Sequence, residues 1–92
     1  MTILVDPAIW RWRDRTWAHL VSDTSYEELH RFAATLGVPR QRFQGDHYDV
    51  PSALRERAIA AGAEPVSSRE LLSRLQAAGL RRGRRVRAGR ER

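Results

Sequence analysis

The chain has 92 residues, a formal net charge of +6, 17 arginines, no lysine and no cysteine. The length fits one domain with a small core, and the lack of cysteine excludes a disulfide framework, thiolate metal sites and a cysteine nucleophile. No apolar run approaches the roughly 18 residues of a membrane span and no signal-peptide pattern opens the chain, so a soluble cytoplasmic protein with no membrane partner is expected.

Thr2-Ile3-Leu4-Val5 reads as a buried strand, stopped at Asp6-Pro7 because proline has no N–H to donate. Residues 8–16 alternate aromatic and charged side chains and form a loop or an irregular hairpin arm. Residues 17–22, WAHLVS, have the length and alternation of a second strand. On that reading Trp17, His19 and Val21 share one face, with Ala18 and Leu20 on the other.

A first helix starts at Ser25-Tyr26-Glu27-Glu28, a capping-box pattern, with Asp23 and Thr24 as alternative caps. Its buried stripe is Leu29, Phe32, Ala33 and Leu36, and Gly37 with Pro39 ends it. Residues 38–50 read as a connector with one short extended piece near Arg42-Phe43-Gln44. A second helix runs from Pro51-Ser52 to Gly62, a very short strand follows at 64–67, and Ser67-Ser68-Arg69-Glu70 caps a third helix carrying Leu71, Leu72, Leu75 and Ala78. Gly79 and Leu80 suit a Schellman ending. The pattern predicts a small α/β sandwich: three helices on a three- or four-stranded sheet, formed by residues 1–80.

Beyond Leu80 the apolar periodicity stops. Seven arginines against Glu91 give residues 81–92 a net +6, whereas residues 1–80 hold ten arginines and ten carboxylates. Such a tail is expected to stay solvated and disordered. Arg81, Arg82, Arg84, Arg85 and Arg87 are its candidates for nucleic-acid contact through phosphates. GC-rich coding alone also yields an arginine-rich, lysine-free chain.

Candidate chemistry gathers at the ends of elements. Asp6 and Asp23 follow the first and second strands, where open α/β sheets place ligands. Asp46, His47 and Asp49 crowd one short stretch, DHYDV. His47, flanked by acids that can orient its ring and raise its pKa, is the best candidate for a general acid/base, with Asp49 orienting it. Asp6, His19 and Tyr48 are candidates for substrate contact, and His30, Asp23 and Asp46 for a divalent metal, since imidazole with carboxylate suits Zn²⁺, Mn²⁺ or Fe²⁺. Each has a plainer reading: Asp23 and Asp49 as helix caps, Asp6 as an Asx-turn residue, His19 as a satisfied core histidine. Trp10, Trp12 and Trp17 among Arg11, Arg13 and Arg15 offer base stacking with phosphate binding, or a core-capping arm.

Val5-Asp6, Trp10, His19-Leu20, Asp23, Glu28-Leu29-His30, Phe32-Ala33, Phe43-Gln44 and Asp46-His47-Tyr48-Asp49-Val50, followed by Gly62-Ala63, Val66-Ser67 and Arg69-Glu70, together resemble the small bacterial and phage family named domain of unknown function 4031. The resemblance spans about residues 2–80. It implies that Asp6, His19, Asp23, His30, His47 and Asp49 belong to the family's signature, which favours their convergence on one pocket, and it implies no particular activity. Two functions follow from the residues. One is a metal-assisted hydrolase acting on a phosphoester or a small nucleotide-like substrate. The other is a non-catalytic nucleic-acid or protein binding module whose His/Asp set is a structural hydrogen-bond network.

Overall fold

The computed structural model describes residues 1–82. Five strands and three helices form a mixed α/β layer structure: β1 (Ile3–Val5), β2 (Trp10–Trp12), β3 (Arg15–Ser22), α1 (Tyr26–Thr35), β4 (Tyr48–Pro51), α2 (Ser52–Ala60), β5 (Glu64–Pro65) and α3 (Ser68–Ala77), with a 3₁₀ turn at Arg40–Arg42. Among the described residues no helix is long and apolar enough to cross a membrane.

The long strand β3 is the spine. Leu20 pairs with Val5 on one edge and with Tyr48 on the other, and Trp17 likewise pairs with Trp10 and with Pro51. β1 and β2 therefore lie end to end along one edge of β3, antiparallel to it, and β4 lies along the opposite edge. β5 extends the sheet in parallel beside β1. Pro65 is tolerated because β5 is an edge strand.

Alternation along β3 sorts its side chains between two layers. Ala18 and Leu20 join Ile3, Val5, Tyr48 and Val50 against Leu29, Ala33 and Leu36 of the first helical segment and Ala58 of α2. Leu4 and Val21 meet Leu71 and Leu75 of α3 on the other face. Helix α3 thus stands alone on the face that also carries Trp17 and His19.

One feature departs from the sequence expectation, and one open alternative is decided. The connector 38–50 leads into a sheet strand, Tyr48–Pro51, and of the expected extended piece at 42–44 Arg42 ends a 3₁₀ turn while Phe43 is extended outside the sheet. The sheet accordingly has five strands. Residues 8–16 are a hairpin arm, in which Arg13 and Asp14 form the turn with φ of 55° and 62°.

The helix ends follow the sequence signals. Ser25 and Ser67 accept from the N–H groups of Glu28 and Glu70, each at 3.0 Å. The Glu28 carboxylate does not return to its own cap. It accepts from Ser22 Oγ, which in turn accepts from the N–H groups of Thr24 and Ser25. Gly79 has φ of +76°, and Leu80 N–H reaches Leu75 O at 3.1 Å, closing α3 as a Schellman turn.

Candidate metal centre

Register brings the chemistry together. His19 in β3 faces Asp49 in β4 as a cross-strand pair, on the side of the sheet covered by α3. His47 immediately precedes β4, and its ring meets that of His19 edge-on, with centroids 5.2 Å apart. One donor atom each from His19, His47 and Asp49 lies within 4.8 Å of the others.

Each imidazole is anchored from behind by a buried carboxylate. His19 Nδ1 lies 2.9 Å from Asp6 Oδ2, and His47 Nδ1 lies 2.8 Å from Asp46 Oδ1. Asp6 is placed by the end of β1: its N–H reaches His19 O at 3.2 Å while its Oδ1 accepts the His19 N–H at 2.6 Å. Pro7 takes the chain out of the ladder at this point, and the carboxylate continues the pairing in place of a backbone carbonyl. Ser68, in the first turn of α3, donates its hydroxyl to Asp6 Oδ2 at 2.8 Å. A carboxylate is acceptor-only, so each anchored Nδ1 carries a proton, and in the neutral ring Nε2 keeps its lone pair.

The electrostatics follow from these contacts. Burial pushes the Asp6 carboxyl up, but hydrogen bonds from the His19 ring, the His19 backbone and Ser68 outweigh it and hold Asp6 below its ordinary value. Burial pushes His47 down, and Asp49 and Asp46 more than reverse that, so His47 titrates above its ordinary value. Asp49 Oδ1 lies 3.2 Å from His47 Nε2 without hydrogen-bond alignment, and it is buried with no hydrogen-bond partner among the described residues. His47 Nε2, when protonated, is a charge partner for this oxygen, and a cation at that position would take the place of that proton.

The histidines and Asp6 open onto a cleft of about 260 Å³, closed on one side by Leu75 and bordered by Ser68 and Arg81. Ser68 is a site residue that the sequence reading did not single out. It sits beside a capping serine, and a helix-start signal explains both without a site.

The other candidates are placed elsewhere. His30 and Tyr48 lie on the opposite face of the sheet, where His30 Nδ1 meets the Tyr48 hydroxyl at 2.7 Å and Phe43 packs against both rings. Burial and Arg40 push His30 below its ordinary value against the pull of Glu27, and burial raises Tyr48. Asp23 does not cap α1. It accepts from Thr2 N–H at 3.0 Å and pairs with Arg74 at 2.9 Å. Asp49 is a strand residue and does not cap α2, whose N-cap is Pro51. The structure thus separates His30, Asp23 and Asp46 and gathers His19, His47 and Asp49, with Asp46 and Asp6 behind them. Arg81 and Arg82 fold back onto the domain, where Asp46 Oδ2 accepts the Arg82 N–H at 2.7 Å and the Arg82 guanidinium covers Tyr26 at 4.6 Å. Arg84, Arg85 and Arg87 lie outside the described residues.

Asp23 supplies a pH prediction of its own. Burial pushes its carboxyl up, and hydrogen bonds from Arg74, Thr2 and Thr24 pull it further down, leaving it below the ordinary value. Its contribution to stability is complete above about pH 4 and is lost as pH falls through the lowered value. Asp23→Asn is expected to lower the melting temperature at pH 7 and to narrow the gap between melts at pH 7 and pH 3. An unchanged gap would remove Asp23 from the acid response.

Fold and geometry together define a small mixed α/β domain with two carboxylate-anchored histidines and an aspartate converging on one sheet face. The chain belongs to the family described as protein of unknown function (DUF4031), whose model matches residues 3–78. No curated protein and no solved structure matches the chain.

Proposed function

We propose that His19, His47 and Asp49 bind a divalent transition-metal ion and that the site hydrolyses a phosphoester. The observation that carries this reading is the pair of Asp–His contacts, Asp6 to His19 and Asp46 to His47. A carboxylate on the far ring nitrogen is the arrangement that orients metal-bound histidines and raises their basicity. Two imidazoles and one carboxylate suit Zn²⁺ or Fe²⁺, and three protein ligands leave a position open for water. Such an ion lowers the pKa of its bound water and so supplies a nucleophile at neutral pH. Arg81, on the rim of the same cleft and 3.5 Å from Asp46, supplies a guanidinium for a phosphate if it turns from that carboxylate. A small phosphorylated substrate or a nucleic acid is the matching substrate class, and a cytoplasmic location suits either.

Zinc titration of the full chain by calorimetry tests the ligand set. One equivalent is expected to bind, with His47→Ala and Asp49→Ala each losing at least about a hundredfold in affinity, while His30→Ala, across the sheet, binds as the wild type does. Hydrolysis of bis(p-nitrophenyl) phosphate should follow the same pattern. No zinc binding, or wild-type binding by His47→Ala, would overturn the reading.

A second reading rests on the same contacts. Both imidazoles are already satisfied at Nδ1, as in a structural network beneath a binding surface. It requires that the His47 and Asp49 variants melt lower and lose nothing else.

A further inference from the structure

The tryptophans and arginines of the β2–β3 hairpin are not used by the metal centre, yet they adjoin it. Trp10 and Trp17 are cross-strand partners on the face that carries His19 and Asp49. Trp10 stacks on His19 at 5.8 Å and on Trp17 at 6.2 Å. Trp17 Nε1 donates to Trp12 O at 2.9 Å, and the Trp12 ring meets Trp17 edge-on at 5.8 Å. Trp12 itself is 53% exposed, with the Arg13 guanidinium 4.7 Å from its ring centroid.

These rings form one wall of an open trough of about 540 Å³, bordered also by Arg15, Arg42 and Asp49. No carboxylate among the described residues lies within 4 Å of the Arg13, Arg15 or Arg42 guanidinium. An exposed indole beside three unpaired guanidiniums does nothing for the core. The hairpin also holds two non-glycine residues, Arg13 and Asp14, at positive φ, where Asn-Gly would sit without strain. That turn keeps Arg13 beside Trp12.

An aromatic wall beside guanidiniums that no carboxylate neutralises matches a ligand that alternates planar rings with phosphates. The trough and the metal cleft meet at the three donors: Asp49 lines the first, His19 and His47 the second. A chain laid along the trough therefore passes over the proposed ion. Duplex bases are stacked on one another and unavailable to an indole, so the strand is a single one.

We propose that the Trp12 trough binds single-stranded nucleic acid, with a base stacked on Trp12 and phosphates held by Arg13, Arg15 and Arg42. The backbone phosphodiester is then the substrate of the metal centre. That last step rests on the function proposed above, whereas the binding does not.

Fluorescence anisotropy of a labelled ten-nucleotide thymidine strand tests it, with the full chain in about 150 mM salt and EDTA so that neither metal nor cleavage contributes. Trp12→Ala is expected to bind about tenfold more weakly or worse, since stacking is a large sequence-independent part of such binding. Trp12→Phe should keep most of the affinity, and Arg42→Gln should weaken binding and reduce its salt slope by about one. An abasic strand of equal length, and the duplex, should bind less well than the thymidine strand. Equal binding by Trp12→Ala and wild type, or equal binding of the abasic strand, would overturn the proposal, since the basic C-terminal residues would then suffice. So would the absence of any binding. Zinc titration of the same preparation, freed of EDTA, separates the two readings: a Trp12 effect in a chain that takes up no zinc would end the hydrolase reading and leave the trough standing.

Discussion

Asp6→Asn is expected to lose about 10–100-fold in zinc affinity although Asp6 is not among the three proposed ligands. Asp6 is 2% exposed and accepts three hydrogen bonds: from His19 N–H, His19 Nδ1 and Ser68 Oγ. An asparagine offers one oxygen and one NH₂ in the same space. Whichever way the amide sits, at least one of those donors faces an NH₂ group, at about 1–3 kcal/mol for each buried polar group left unpaired. The imidazole then loses either its fixed tautomer or its orientation, and a neutral amide makes it a poorer base. Ser68→Ala is the matched control, because it removes one of the three bonds and leaves the ring anchored. Calorimetric zinc titration beside thermal melts separates the effects. If Asp6→Asn melts lower but binds zinc like the wild type, Asp6 serves the fold alone.

What the sequence made legible was local. Helices α1 and α3 announced themselves through Ser25, Ser67 and Gly79, because caps and left-handed endings are set within a few residues. β1 and β3 were legible from β-branched composition and alternation. β4 was not: Tyr48–Pro51 is four residues long, ends in proline, and is a strand only because β3 lies beside it. β2 was obscured for a related reason, since Arg13-Asp14 is not the turn pair a tight hairpin favours.

The site inherits that difference. The residue types were readable, and His47 and Asp49 stood out as neighbours in the chain. Which histidine joins them is decided by register across β3 and β4, which puts His19 opposite Asp49 and sends Tyr48 through the sheet to His30. Had Tyr48–Pro51 been recognised as a strand, alternation alone would have placed Asp49 and Tyr48 on opposite faces. The roles of Asp23 as a tie between Thr2 and Arg74, and of Ser68 behind Asp6, had no local signal because their partners are 21 or more residues away.

Leu20→Ala is expected to have the largest effect on stability, about 2–5 kcal/mol. Leu20 is fully buried, belongs to the strand that pairs with β1, β2 and β4, and points at the layer formed by α1 and α2. A domain of this size is held by roughly 4–12 kcal/mol, so the substitution removes a large share of the whole. The urea midpoint should fall accordingly, whereas Leu72→Ala, at a position 36% exposed, should move it little. A cost below about 1 kcal/mol for Leu20→Ala would contradict the central placement of β3. The same variant also reports on the metal centre from within the fold. His19 is the next residue along β3, on the opposite face, and the ligand geometry does not include Leu20. Zinc at a hundred times its Kd should therefore return about 2.7 kcal/mol to Leu20→Ala and nothing to the double variant that also carries Asp49→Ala. Recovery in both chains would mean that zinc stabilises the protein at some other place.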